Sequence, residues 1–135
     1  MTSRVLIAGF GGQGVMSMGM VLAYAGMLEG RNVSWMPSYG PEQRGGTANC
    51  SVVLSDRRIA SPVVTEPDVL IAMNRPSLDR FEESVVPGGQ LLVNSSLIDR
   101  EVGRKDVSVV LVPANEVADG LGNPRVANMV ALGAF

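Results

Sequence analysis

The sequence predicts a three-layer, Rossmann-like α/β domain with a mainly parallel sheet and an antiparallel hairpin excursion. Three observations carry this expectation. Short unbroken runs of β-formers, "RVLIA" (4–8), "DVLIAMN" (68–74) and "VSVVLVPA" (107–114), have the pattern of strands buried on both faces. Segments of helical period separate them, and that alternation goes with parallel strands joined by crossovers. The chain has 135 residues and no repeat, low-complexity tract or shift in composition, so one domain over 1–135 is expected.

The first run ends in glycines and passes into "VMSMGMVLAYAGMLEG", where Val15, Met18, Leu22 and Ala25 fall at helical spacing. Glu29 is its first charge, and Gly30 suits the position just past a helix end. Almost nothing on this helix is polar. A helix apolar all round is either central to a large core or wedged between chains. "NVSWMPS" (32–38) reads as a second strand and "TANCSVVLS" (47–55) as a third, after which "DRR" turns into "IASPVV" (59–64), a hairpin or meander. Arg75-Pro76 ends the strand at 68–74, and Pro76 followed by Asp79 suits a short helix to about Ser84. A turn at "PGG" precedes a strand near 90–93, and the buried strand at 107–114 leads into "NEVADGLGNP". A last helix starts near Pro124, and its apolar pattern still runs at Phe135, which predicts a domain lacking its C-terminal elements.

Charged residues are 18% of the chain, where about a quarter is usual. Because charge is depleted in the cores of interfaces, this predicts a surface partly covered by other chains. A net charge of −2 without any Lys/Arg run argues against nucleic acid. There is no histidine, which excludes histidine-based triads, general bases and metal ligands. The single cysteine, Cys50, excludes internal disulfides and any self-contained thiolate cluster, so no metal site is expected. Cys50 itself lies in a predicted strand and reads as a small buried hydrophobe. The N-terminus lacks a basic region followed by a long apolar run. The longest apolar stretch, 15–28, is broken by Ser17, Gly19 and Gly26 and falls short of the roughly 20 residues of a span. The expectation is a cytoplasmic chain with no membrane contact.

Two stretches concentrate unusual residues. "GFGGQG", Gly9 to Gly14, satisfies G-x-G-x-x-G and stands between the first strand and the first helix. Glycines there let a ligand approach the backbone and expose N–H groups at a helix start, where phosphate is favoured. The nicotinamide version needs an acidic residue at the end of the second strand, but that strand ends "WMPSYG". No Gly-Lys-Ser/Thr follows either, so the Walker pattern is absent. Open readings are a tight structural turn, a phosphate-bearing ligand other than NAD, or a partner's backbone. In "SYGPEQRGGTANC" (38–50), Tyr39-Gly40-Pro41 forms a turn, Glu42 and Arg44 stand two apart, and Gly45-Gly46 follow. Exposed N–H groups beside an arginine make an anion site. Both loops leave the carboxyl edge of a doubly wound sheet and should meet at one crevice.

Together these residues resemble the gamma subunit of 2-oxoacid:ferredoxin oxidoreductases of 2-oxoglutarate, branched-chain or pyruvate type. "GFGGQGV" and "SYGPEQRGGTANCSVVLSD" carry the resemblance, and "DVLIAMN", "PGGQLLVNSSLI" and "NPRVANMVALGAF" extend it over nearly the whole chain. It implies one subunit of an oxidoreductase that converts a 2-oxoacid and coenzyme A to an acyl-CoA and carbon dioxide, with electrons passed to ferredoxin. It implies alpha and beta partner subunits that hold thiamine diphosphate and iron–sulfur clusters, some of these on a ferredoxin-like delta. It implies that the gamma subunit handles coenzyme A without catalytic residues of its own. Gly9, Gly11, Gly12, Gln13 and Gly14 match the family's first loop. Tyr39, Gly40, Pro41, Glu42, Arg44, Gly45, Gly46 and Thr47 match its second. The rival expectations are a scaffold subunit with no ligand and a standalone nucleotide-binding oxidoreductase.

Overall fold

The computed structural model describes residues 2–10, 14–38 and 47–135. Its elements are β1 (Thr2–Phe10), α1 (Val15–Leu28), β2 (Asn32–Ser38), β3 (Thr47–Ser55), β4 (Val69–Ala72) and α2 (Arg75–Phe81), followed by β5 (Gln90–Asn94), β6 (Ser108–Val112), α3 (Ala114–Gly120) and α4 (Ala127–Ala134). Short 3₁₀ turns, Glu82–Ser84 and Pro124–Val126, extend α2 and lead into α4.

The strands form one sheet in the order β2-β3-β1-β4-β5-β6. β1, β4, β5 and β6 run parallel, while β3 lies antiparallel between β1 and β2. Two reversals restore direction, so β2 points the same way as β1. The antiparallel excursion is therefore the β2–β3 pair. The predicted hairpin at 59–64 is not formed: residues 56–68 contain no strand. β3 already has a neighbour on each side, and Pro62 has no N–H to give a ladder.

Alternation along the strands splits the core in two. Val5, Ile7, Cys50, Val52, Ile71 and Leu92 face α1, α3 and α4, whereas Leu6, Leu70, Ala72, Leu91 and Val93 face α2 and the segment around Ile98. The three layers follow. Asn74 starts α2, its Oδ1 accepting the Ser77 N–H at 3.0 Å, with Pro76 in the first turn. The helix at 114–120 has no counterpart in the expected element order. It is seven residues long and too short for its period to stand out.

Two burial expectations are corrected. β6 is an edge strand with Val109 and Leu111 exposed, not a strand buried on both faces. The buried stripe of α1 is Val15, Met18, Gly19, Ala23 and Gly26, one position round from Leu22 and Ala25. Close approach is the cause: a Cβ on Gly19 would sit 2.5 Å from Cys50 Sγ and 2.7 Å from Trp35 Nε1. The outer face of α1 keeps Met20, Val21, Tyr24, Met27 and Leu28 exposed.

Candidate functional site

The strand register brings the flanks of both glycine-rich loops together. Phe10, the last residue of β1, pairs with Thr47, the first of β3; Gly9 pairs with Ala48, and Ser38 at the end of β2 pairs with Asn49. Since β2 runs with β1, both loops depart from the carboxyl edge of the sheet, where open α/β sheets bind ligands. Of the expected site residues, Gly9, Gly14 and the backbone of Thr47 are at this edge. Gly11, Gly12, Gln13, Tyr39, Gly40, Pro41, Glu42, Arg44, Gly45 and Gly46 lie outside the described residues.

Gly14 immediately precedes α1 with φ of 71°, a left-handed conformation that L side chains rarely adopt. A Cβ there would also stand 2.5 Å from Asn128 Nδ2, which donates to the Gly14 carbonyl at 3.4 Å. The first glycine loop is thus fastened at its exit by α4, on the far side of the sequence.

Along the same edge lies a set of asparagines to which sequence reasoning assigned no role. Asn94, which ends β5, is fully buried. Its Nδ2 donates to the Met73 carbonyl at 3.2 Å and to Asn115 Oδ1 at 2.8 Å. Its Oδ1 accepts the N–H groups of Ser96 at 3.3 Å and Ala114 at 3.1 Å. Every hydrogen-bonding position of the amide is used. One side chain therefore ties the carboxyl ends of β4 and β5 to the start of α3. The signal was present in the sequence, because "LIAMN" and "LLVNSS" both end an apolar strand on asparagine.

On β3, Cys50 is fully buried as expected. Burial, the largest influence, pushes its thiol up to about 11, against hydrogen bonding from the Trp35 indole and the Gly19 backbone, which pulls the other way. The thiol donates to the Val15 carbonyl at 3.5 Å. A thiol so protonated is neither a nucleophile nor a metal ligand at neutral pH. Among the described residues no three His, Cys, Asp or Glu side chains converge as a metal site, and no helix is long and apolar enough to cross a membrane.

Fold and strand register together define an α/β domain in which the flanks of two glycine-rich segments meet at one edge of the sheet. Residues 4–135 match the model of the family described as pyruvate ferredoxin/flavodoxin oxidoreductase, and the chain belongs to that family. Among its relatives is ketoisovalerate oxidoreductase subunit VorA of Methanothermobacter thermautotrophicus, 54% identical over 96% of this chain and 27% of the relative. Another is 2-oxoglutarate synthase subunit KorC of Methanocaldococcus jannaschii, 34% identical over 100% of this chain and 74% of the relative. The chain thus spans about a quarter of the VorA relatives' length and about three quarters of the KorC ones. The gamma subunit of a keto/oxoacid ferredoxin oxidoreductase from Geobacter sulfurreducens superposes with a TM-score of 0.88 at 29% identity, covering 99% of this chain and 74% of that one. A 2-oxoglutarate:ferredoxin oxidoreductase from Magnetococcus marinus, solved with 2-oxoglutarate, coenzyme A and succinyl-CoA bound, superposes with a TM-score of 0.87 at 26% identity; the match covers 98% of this chain and 23% of that one.

Proposed function

We propose that this chain is the gamma-type component of a cytoplasmic, multi-subunit 2-oxoacid:ferredoxin oxidoreductase, and that its carboxyl-edge crevice helps admit coenzyme A. The enzyme would convert 2-oxoglutarate or a branched-chain 2-oxoacid and coenzyme A to an acyl-CoA and carbon dioxide, with electrons leaving to ferredoxin. One observation carries the role of the crevice: the Phe10–Thr47 pairing sets the flanks of both glycine loops side by side at the ligand-facing edge. Support for the ligand comes from the Magnetococcus relative, whose structure contains coenzyme A.

In this reading the N–H groups of Gly11 to Gly14 receive phosphate or pantetheine carbonyl oxygens, and Arg44 supplies a positive charge. Thiamine diphosphate and the iron–sulfur clusters belong to alpha, beta and delta partners, which suits a chain whose one thiol is buried and protonated. Replacing Arg44 with Ala in the assembled enzyme should raise the apparent KM for coenzyme A by about tenfold or more, the worth of a charge-assisted bond. Carboxyl exchange between labelled carbon dioxide and the 2-oxoacid should persist. Loss of assembly in place of this kinetic change would make the loop an interface, and the coenzyme A role would be wrong.

A second reading, a scaffold subunit without a ligand, is favoured by the exposed apolar face of α1. It expects Tyr24→Glu to abolish co-purification with alpha and beta subunits, and Arg44→Ala to leave the KM for coenzyme A unchanged.

A further inference from the structure

The sheet has a hollow at the end opposite the one from which the two glycine-rich segments depart. It lies between the start of β1, the end of β3 and the irregular segment that follows β3, with a volume of about 230 Å³. Its charged lining residues are Arg4 and Arg58, and no aspartate or glutamate lines it. Thr2, Ser55 and Ser61 supply hydroxyls, and Val53 forms part of the wall. Among the described residues neither guanidinium is held by a carboxylate. Asp68, beside β1, spends its Oδ2 on the Arg4 backbone N–H at 2.8 Å.

The hydroxyls are set to donate. Thr2 Oγ1 and Ser55 Oγ are 2.8 Å apart, so one of their two protons bridges them and the other is left over. Ser55 Oγ also accepts the Arg57 N–H at 3.0 Å, and Ser61 Oγ accepts the Val63 N–H at 3.2 Å. Ser55 Oγ and Ser61 Oγ thus each already accept a backbone N–H, and each hydroxyl keeps a proton that can be donated. From Arg58 to Ser61 no backbone N–H is spent on an oxygen of another described residue. Two arginines and three hydroxyls lining a hollow with no aspartate or glutamate in its wall match one ligand chemistry, a tetrahedral oxyanion of charge near −2.

We propose that this hollow binds a phosphate group, either as inorganic phosphate or as a phosphate monoester, at a site separate from the glycine-loop crevice. The glycine-rich segments leave the carboxyl ends of β1 and β2, whereas this hollow adjoins the amino end of β1, so the whole length of the strand separates them.

The test is equilibrium dialysis of radiolabelled inorganic phosphate against the assembled protein, with ionic strength held constant by chloride. Saturable binding is expected. Arg58→Gln should weaken it about tenfold, and the Arg4→Gln/Arg58→Gln pair should abolish it, as charge-assisted bonds are lost. Arg58→Lys should recover part of the affinity, and Arg44→Ala should leave it intact. Both arginines are exposed, so circular dichroism of the variants should match the parent. Competition by phenyl phosphate would point to a phosphorylated metabolite, and its failure to compete to the free ion. Binding that survives the double substitution, or that disappears in Arg44→Ala, overturns the proposal, as does phosphate binding no tighter than chloride.

Discussion

The two ends of the sheet are held by opposite means. On the parallel side, Asn94 fastens β4, β5 and α3 with four directed hydrogen bonds in a buried setting. On the antiparallel side, Trp35, Cys50 and Gly19 lock β2 and β3 onto α1 by close packing. There Ser34 Oγ is buried without a hydrogen-bond partner among the described residues. The lesson concerns tolerance. A polar clamp is sensitive to loss of hydrogen-bonding groups, because each orphaned partner keeps its desolvation cost. A steric clamp is sensitive to added volume and to any charge forced into it.

The largest expected effect tests the polar clamp. Asn94→Leu keeps the approximate shape but orphans the Met73 carbonyl and the N–H groups of Ser96 and Ala114. Urea unfolding should reveal a loss of about 3–5 kcal/mol. A change below about 1 kcal/mol would mean that the clamp is decorative.

The next effect concerns the steric side and depends on pH. Cys50 has its thiol raised from 9.0 to about 11, so between those values the native state holds a proton that the unfolded chain has released. Its stabilisation is complete below pH 9 and is lost as pH rises through 11, a total of about 2.5 kcal/mol. Stability measured across pH 9–11 should fall more steeply in the parent than in Cys50→Ala. Equal slopes would contradict the burial of this thiol.

Smallest is Gly19→Ala. The new methyl would meet Cys50 Sγ and Trp35 Nε1, and the overpacking outweighs the better helix propensity of alanine, a net loss of about 1–2 kcal/mol. In a Cys50→Ala background the loss should shrink, because one of the two obstacles is gone. Additive effects in that double-mutant cycle would place the strain elsewhere.

Much of this was legible in the amino-acid order because its causes are local. Runs of β-formers marked all six strands, and Pro76 and Gly30 marked a helix start and a helix end. The two glycine-rich motifs marked the family, and the left-handed backbone of Gly14 shows why one of their positions takes glycine. Burial of Cys50 also followed from its place in an apolar strand.

Pairing between distant segments decided the rest. Nothing local in "TANCSVVLS" says that it inserts antiparallel between β1 and β2, and that insertion leaves 59–64 without a ladder to join. The edge position of β6 depends on which strands find partners, so its apolar run could not distinguish exposure from burial. Likewise the turn of α1 toward Gly19 and Gly26 is set by the sheet beneath it, not by the helix's own nearly uniform apolarity. Asn94 is the sharpest case. In the sequence it is one polar residue closing a strand, and only the folded chain brings Met73, Ala114 and Asn115 within reach of its amide.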